Sequence, residues 1–192
     1  MDAASPSLPA LPLLRLKGRH VVPIVQGGMG VGISAHRLAG AVARENAVGT
    51  ISSVDLRRHH PDLLAASRHG DKASVDRANL AALDREIRAA KALAQGVGVI
   101  AVNVMRAVSE YATSVKQACA SGADAVVVGA GLPLDLPELT AEHPDVALIP
   151  ILSDARGIAL VVKKWLRKGR VPDAIVVEHP RYAGGHLGAA KI

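Results

Sequence analysis

Residue types able to hold and act on a small ligand occur at the ends of several predicted strands. Glycines at such positions let the backbone approach a flat molecule closely and leave their N–H groups free to donate hydrogen bonds. For any single glycine, turn geometry is the simpler explanation. Several such glycines at successive strand ends favour a binding role instead. The candidate positions are Gln26, Gly27, Gly28, Met29, Gly30, Asn103, Gly129, Ala130, Gly131, Ser153, Gly184, Gly185 and His186.

Asn103 is the polar residue of this set that most needs an explanation. It interrupts an apolar run from Val99 to Met105, where an amide would be buried without partners. Two interpretations fit equally well at this point. The amide ties neighbouring strand ends together, or it donates to and accepts from the polar edge of a heterocycle.

His186 follows the last predicted strand and lies between Gly185 and Leu187. From there an imidazole could reach the ligand and act as a base or as a hydrogen-bond donor near neutral pH. Taken alone, a histidine in a glycine-rich segment is more often a flexible, solvent-facing residue. The position therefore gains its interest from the glycines and the amide at the other strand ends.

The remaining histidines and the single cysteine give weaker signals. His59, His60, Asp62 and His69 lie close in sequence but match no recognised ligand spacing, so no metal site is predicted. Cys119 lies between two alanines of a predicted helix and is interpreted as a small buried apolar residue. Surface or turn positions are predicted for His20, His36, His143 and His179.

Short β-branched runs alternate with longer helical patterns along the chain, which predicts an α/β fold with a parallel sheet. Strands are predicted at 21–26 (paired from Ile24 onward because Pro23 has no N–H), 48–52, 97–104, 125–128, 146–152 and 174–177. Helices are predicted at 35–45 with Ser34 as N-cap, 74–94, 109–120 and 155–168, and residues 53–72 are predicted to be a lid or binding loop. This is an incomplete (β/α) TIM-barrel pattern with about six of the eight units.

Composition narrows the class of protein. The 192 residues carry a net charge of +6 and one cysteine, and aromatic residues make up 2%. Few aromatics and a basic cluster confined to one predicted helix, at residues 163–170, argue against nucleic-acid binding. With no membrane-spanning run and no basic leader, we expect one cytoplasmic domain over 1–192, in which residues 1–19 form a short N-terminal arm.

Four segments together resemble the nitronate monooxygenases, formerly called 2-nitropropane dioxygenases. They are Pro23 to Gly30, Ala47 to Ser52, the strand end at Asn103, and Ala183 to Gly188, and the likeness runs from about Arg19 to the last residue. The resemblance implies an FMN-binding TIM barrel. It also implies oxidation of alkyl nitronates, or of the parent nitroalkanes, with molecular oxygen to carbonyl compounds and nitrite.

The resemblance also implies roles for individual residues. Gly27, Gly28 and Met29 would line the isoalloxazine ring of FMN, Asn103 would bind its polar edge, and Ser153 would be a neighbour of the flavin. Gly184 and Gly185 would contact the cofactor. His186 would be the active-site histidine, contacting the nitro group or removing a proton from a nitroalkane.

The chain departs from the family pattern at its end, where the loops after strands seven and eight, which carry the family's phosphate-binding glycines, are missing. We therefore expect a truncated barrel that binds FMN weakly and exposes two sheet edges, through which it could form homo-oligomers. Two alternatives to the nitronate monooxygenase activity remain. One is a related FMN-dependent enoyl-thioester reductase on the same barrel, and the other is a non-catalytic truncated remnant.

Overall fold

Helices and strands alternate over residues 11–179, which the computed structural model describes. In chain order, the elements are β1 (Leu14–Leu16), β2 (Arg19–Val21), α1 (His36–Arg44), β3 (Val48–Ser52), a 3-10 turn (Leu56–His59), α2 (Pro61–Ser67), α3 (Lys72–Ala94), β4 (Val99–Met105), α4 (Tyr111–Ala120), β5 (Ala125–Gly129), α5 (Leu136–Leu139), β6 (Ala147–Leu152), α6 (Ala155–Leu166) and β7 (Val176–Val177).

The strands β3 to β7 form one parallel sheet in sequence order, which confirms the predicted α/β class. Alternate residues of each strand point to opposite faces. On the concave face, Val48, Val99, Ala125 and Ala147 pack together, whereas the convex face packs against the helices. Because both faces are covered, the strands are apolar almost throughout, as parallel strands of a (β/α) barrel are. None of the helices in residues 11–179 is long and apolar enough to cross a membrane.

A β-hairpin closes the N-terminal end of the sheet and was not predicted, since residues up to 19 were assigned to an N-terminal arm and Val21 to the strand that follows. Its two strands, β1 and β2, are antiparallel. The buried side chains of Leu16 and Val21 pack into the concave face. Arg19 anchors the hairpin, donating to the carbonyl of Gly98 at 2.7 Å and to Asp124 at 3.0 Å.

The strand predicted at 21–26 is shorter than expected. Only Val25 forms a bridge to Val48 of β3, although pairing does begin at Ile24 as predicted. The side chain of Gln26 explains why the ladder stops there. Its Oε1 accepts from the N–H of Thr50 at 2.9 Å and so takes the place of a backbone acceptor. The backbone is then free to turn into the glycine-rich segment.

Two further predictions about local structure were wrong. Ser34 does not cap α1, because the cap is Ala35 and no side chain serves it. Ser34 instead bonds to the glycine-rich segment before it. The predicted loop over 53–72 contains the 3-10 turn and α2, which pack against α3.

The two edges of the sheet are exposed within the described residues. Val177 of β7 is 66% exposed, and Val25, beside β3 at the other edge, is 51% exposed. Unpaired strand edges bind other strands. We therefore propose that the chain self-associates through these edges.

Sedimentation velocity of the purified 192-residue chain tests this proposal. We expect a dimer or a larger species, and we expect Val177→Lys to shift it toward the monomer, because a charged side chain on an edge strand opposes pairing. Leu166→Lys is the matched control, since Leu166 is exposed on α6 and lies outside the sheet. A wild-type chain that sediments as a monomer at every concentration would contradict the proposal.

Candidate active site

A cavity of about 640 Å³ lies at the C-terminal ends of the parallel strands. This volume is within the range of pockets that hold small molecules or cofactors. Its position is the working face of (β/α) barrels, where loops after the strands carry the functional groups. The lining residues are Gly28, Met29, Gly30, Val31, Ser52, Val54, Asn103, Met105, Gly129, Ala130, Gly131, Leu132, Ile151, Leu152, Ser153, Asp154, Gly157 and Glu178.

The structure brings several of the predicted site residues together at this cavity. Gly28, Met29, Asn103 and Ser153 all line it, as do Gly129, Ala130 and Gly131. Gly27 does not line it, although its carbonyl accepts hydrogen bonds from neighbouring side chains. Gly184, Gly185 and His186 lie outside the described residues. A contact between any of these residues and a flavin stays a prediction.

Asn103 enters the cavity from β4, with Ser52 and Val127 beside it in the strand register. Its backbone carbonyl accepts from Ser53 at 3.1 Å. Its side-chain amide has no hydrogen-bond partner among residues 11–179. The amide therefore does not tie the strand ends together within that range, and both its donor and its acceptor are available to a ligand.

Gly28 lies directly against Asn103, and this contact explains why the position has no side chain. A Cβ at Gly28 would lie 2.6 Å from the Cβ of Asn103 and 3.3 Å from its Nδ2. Real Cβ atoms do not approach other carbons that closely. Any larger residue at position 28 would push the Asn103 amide out of place.

Ser34 and Gln26 shape the glycine-rich segment, and sequence reasoning missed both roles. The buried hydroxyl of Ser34 accepts from the N–H of Met29 at 2.9 Å and donates to the carbonyl of Gly27 at 3.2 Å. The Nε2 of Gln26 donates to that same hydroxyl at 2.9 Å. These bonds fix the backbone that carries Gly28 and Met29 into the cavity.

The charged side chains that line the cavity in the described part of the chain are both acidic. Asp154 is the N-cap of α6, where its Oδ1 accepts from Gly157 at 2.7 Å. Glu178 follows β7, and its backbone N–H donates to Leu152 at 3.0 Å. No lysine, arginine or histidine lines the cavity within residues 11–179. The described lining therefore offers an anionic ligand uncharged donors, such as backbone N–H groups and the Asn103 amide, but no cationic side chain.

The histidine-containing loop at residues 59–69 and Cys119 are the other positions at which reactive side chains occur. Across residues 11–179, no group of three or more histidine, cysteine or acidic side chains could hold a metal ion. Asp62 pairs with Arg85 at 2.8 Å instead. Cys119 is buried as predicted, and burial raises the pKa of its thiol to about 11. It is therefore an unreactive apolar residue near neutral pH.

His36 was predicted to be a surface or turn residue, but it contacts a buried carboxylate. Its ring Nδ1 lies 2.7 Å from Oε2 of Glu86, a residue of α3 that is 1% exposed. The ring of His60 approaches the same side chain. Sequence reasoning singled out neither Glu86 nor this contact.

Comparison with known proteins identifies the family to which this arrangement belongs. The family model described as nitronate monooxygenase matches residues 14–192. The chain belongs to the nitronate monooxygenase family. The resemblance seen at Pro23 to Gly30 and at Ala183 to Gly188 is thereby confirmed. None of the curated proteins with which the sequence was compared matches it.

Two solved structures of FabK support the fold. FabK from Thermotoga maritima is 20% identical, with a TM-score of 0.57 over 86% of this chain and 43% of its own. The M276A mutant of the same FabK is also 20% identical, with a TM-score of 0.51 over 84% of this chain and 45% of its own. Nitroalkane oxidase from Streptomyces ansochromogenes is 17% identical, with a TM-score of 0.36 over 84% of this chain and 65% of its own. The FabK matches confirm the predicted incomplete TIM-barrel architecture, and this chain spans less than half of the length of FabK.

Proposed function

We propose that this chain is an FMN-dependent nitronate monooxygenase, which oxidises alkyl nitronates with molecular oxygen to carbonyl compounds and nitrite. The observation that carries the proposal is the convergence of Gly28, Met29 and Asn103 on one cavity at the C-terminal ends of the strands in a member of this family. The same residues are those that the family resemblance assigns to the flavin ring.

The residues of the cavity fit the ring system of FMN. Two glycines contribute to each of two walls, Gly28 and Gly30 on one and Gly129 and Gly131 on the other, so that a planar ring could approach the backbone at both. The unpartnered amide of Asn103 suits the polar edge of the ring, because that edge both donates and accepts hydrogen bonds. When bound, FMN would supply the electron transfer and the oxygen chemistry.

We assign to His186 the contact with the reacting end of the substrate. A nitronate is an anion, and the charged side chains in the described lining of the cavity are the carboxylates of Asp154 and Glu178. An imidazole is a cation or a neutral donor at working pH, so it can stabilise the nitronate or take a proton from a nitroalkane. Ser153, which directly follows β6, is proposed to lie next to the flavin.

Oxygen consumption tests the proposal directly. We expect the chain, supplied with a large excess of FMN, to consume oxygen and release nitrite when it is given an alkyl nitronate, without any added NAD(P)H. Asn103→Leu is expected to reduce the rate, because the amide's hydrogen bonds are lost while the side-chain volume is kept. No nitrite above the level of free FMN would contradict the proposal.

Weak FMN binding is a further expectation. The described lining contains no cation for the phosphate group, and charge-assisted hydrogen bonds to a phosphate are among the strong ones. Titration of FMN fluorescence with the purified chain should therefore show gradual quenching. Tight, stoichiometric quenching would contradict this expectation.

A flavin-dependent enoyl-thioester reductase is the second candidate, and the cavity's charge favours it. The described lining is acidic where it is charged, so it suits an uncharged reacting group better than an anion. This activity needs a nicotinamide electron donor. Oxidation of NAD(P)H that depends on an enoyl thioester, with no nitrite from a nitronate, would support it over the first proposal.

A further inference from the structure

Glu86 is a charged group in the middle of the apolar face of α3. It is 1% exposed and lies among buried residues that include Leu83, Ile87 and Ala90. Its Oε2 accepts from the backbone N–H of His36 at 2.7 Å and lies 2.7 Å from the Nδ1 of the same residue. Its Oε1 lies 3.0 Å from Nε2 of His60. One carboxylate thus joins α3 to two other segments of the chain.

The carboxylate is held in its ionised form. Burial alone raises the pKa of Glu86, but the hydrogen bonds from His36 and the charges of His36 and His60 outweigh burial, so the pKa lies below its ordinary value. The arrangement is not explained by stability alone, because apolar residues of similar volume can often replace a buried ion pair without lowering the free energy of unfolding. The geometry around it indicates another role.

His36 connects Glu86 with the glycine-rich segment. It begins α1 only two residues after Ser34, whose hydroxyl and backbone hold Gly27 and Met29. The backbone N–H of Ser34 donates to Met29 at 3.0 Å, and its hydroxyl accepts from Met29 at 2.9 Å. Fixing the start of α1 therefore fixes the segment that lines the cavity.

His60 provides a second connection between Glu86 and the same segment. Its neighbour His59 packs on Gly32, where a Cβ would overlap the imidazole ring. Gly32 follows Gly30 and Val31, which line the cavity. Through His36 and through the turn at His59 and His60, Glu86 supports the part of this segment from Gly32 to Ser34, and the hydrogen bonds of Ser34 extend that support to Met29.

We propose that Glu86 is a positioning residue for the cavity. Through His36 and His60, it holds residues 28–34 in the one arrangement that places Gly28 against Asn103, and it thereby sets the affinity for a planar ligand. That the ligand is a flavin rests on the proposed function. That Glu86 positions the segment does not, because it follows from the contacts of Glu86 alone.

Amide hydrogen exchange of the unliganded chain is the first test. In Glu86→Gln, which keeps the shape but loses the charge, we expect the amides of Met29 and Ser34 to exchange about tenfold faster, since the single amide oxygen is uncharged and replaces two carboxylate oxygens that lie against His36 and His60. The amides of β5 should exchange at the wild-type rate. Uniform acceleration across the chain, or no change at residues 28–34, would overturn the proposal.

Binding of riboflavin, which has the ring of FMN without its phosphate, is the second test. We expect Glu86→Gln to raise its dissociation constant about tenfold, as the loss of one buried charge-assisted contact would. Unchanged riboflavin affinity, in a variant whose residues 28–34 exchange faster, would overturn the link to the ligand. If wild-type chain bound no riboflavin, the proposed function and that link would fail together, and the exchange experiment would still decide the positioning role.

Variants of His36 keep the test decisive even if Glu86→Gln does not fold. His36→Asn retains an N–H donor beside the carboxylate, so residues 28–34 should exchange as slowly as in the wild type. In His36→Leu the same residues should exchange as fast as in Glu86→Gln. Glu110→Gln is the control for loss of an ion pair in general, because Glu110 pairs with Lys72 near the surface. Equal effects of His36→Asn and His36→Leu would show that the contact only fills space and would overturn the proposal.

Discussion

A chain carrying His186→Gln is expected to oxidise a nitronate with kcat/KM lowered about 100- to 10,000-fold, the range typical of losing one acid–base group. The reason lies in the charge of the cavity. Within residues 11–179, the charged lining groups are the carboxylates of Asp154 and Glu178. The proposed imidazole would thus be the group that offsets the negative charge of the substrate, and glutamine cannot carry that charge.

His20→Gln is the matched control for this experiment, since His20 is exposed on β2 at the opposite end of the sheet from the cavity. Its kcat/KM should equal that of the wild type. Riboflavin titration of both variants separates chemistry from binding, because loss of the imidazole should leave the contacts at Gly28 and Asn103 intact. Wild-type kcat/KM in His186→Gln would remove the histidine from the proposed mechanism.

The parallel strands could be predicted because their pattern is local. The runs at Val48 to Ser52 and Ala125 to Val128 are short and β-branched, and each is followed by serine or glycine. Both were predicted within one residue of their observed ends. Since parallel strands point their C-terminal ends the same way, the convergence of Gly28, Asn103 and Ser153 followed from the strand order.

The hairpin was missed even though its sequence carries a signal. Two alternating triplets flank Lys17 and Gly18, and both of these residues have positive φ, as a tight two-residue hairpin turn requires. Each strand has only three residues, which is too short for periodicity to reveal. The turn at Lys17-Gly18 was the stronger clue.

Glu86 could have been found from the helical period. Ala82, Leu83, Ile87 and Ala90 form the apolar stripe of α3, and position 86 falls on that stripe. A charged residue on a buried stripe needs a partner from elsewhere in the fold. The partners themselves, His36 and His60, could not be predicted, because they lie 50 and 26 residues away and meet Glu86 only after the helices pack.

Gly49→Ala is expected to lower the free energy of unfolding by about 3 kcal/mol, at the upper end of the range for overpacking a core. Gly49 lies in β3 beneath α1, where a Cβ would be 2.6 Å from the carbonyl carbon of Ala39 and 2.8 Å from its Cα. These are backbone atoms, so no side-chain rotation can relieve the overlap. The helix would have to move away from the sheet.

Urea unfolding measures this effect, and Gly27→Ala is the matched control. A Cβ at Gly27 would meet no atom within 4 Å, and its φ is not positive, so this variant should unfold at the wild-type urea concentration. Because α1 begins at His36, its displacement should also loosen residues 28–34 and weaken riboflavin binding in Gly49→Ala. Equal unfolding midpoints for the two variants would mean that α1 does not rest on the backbone of β3.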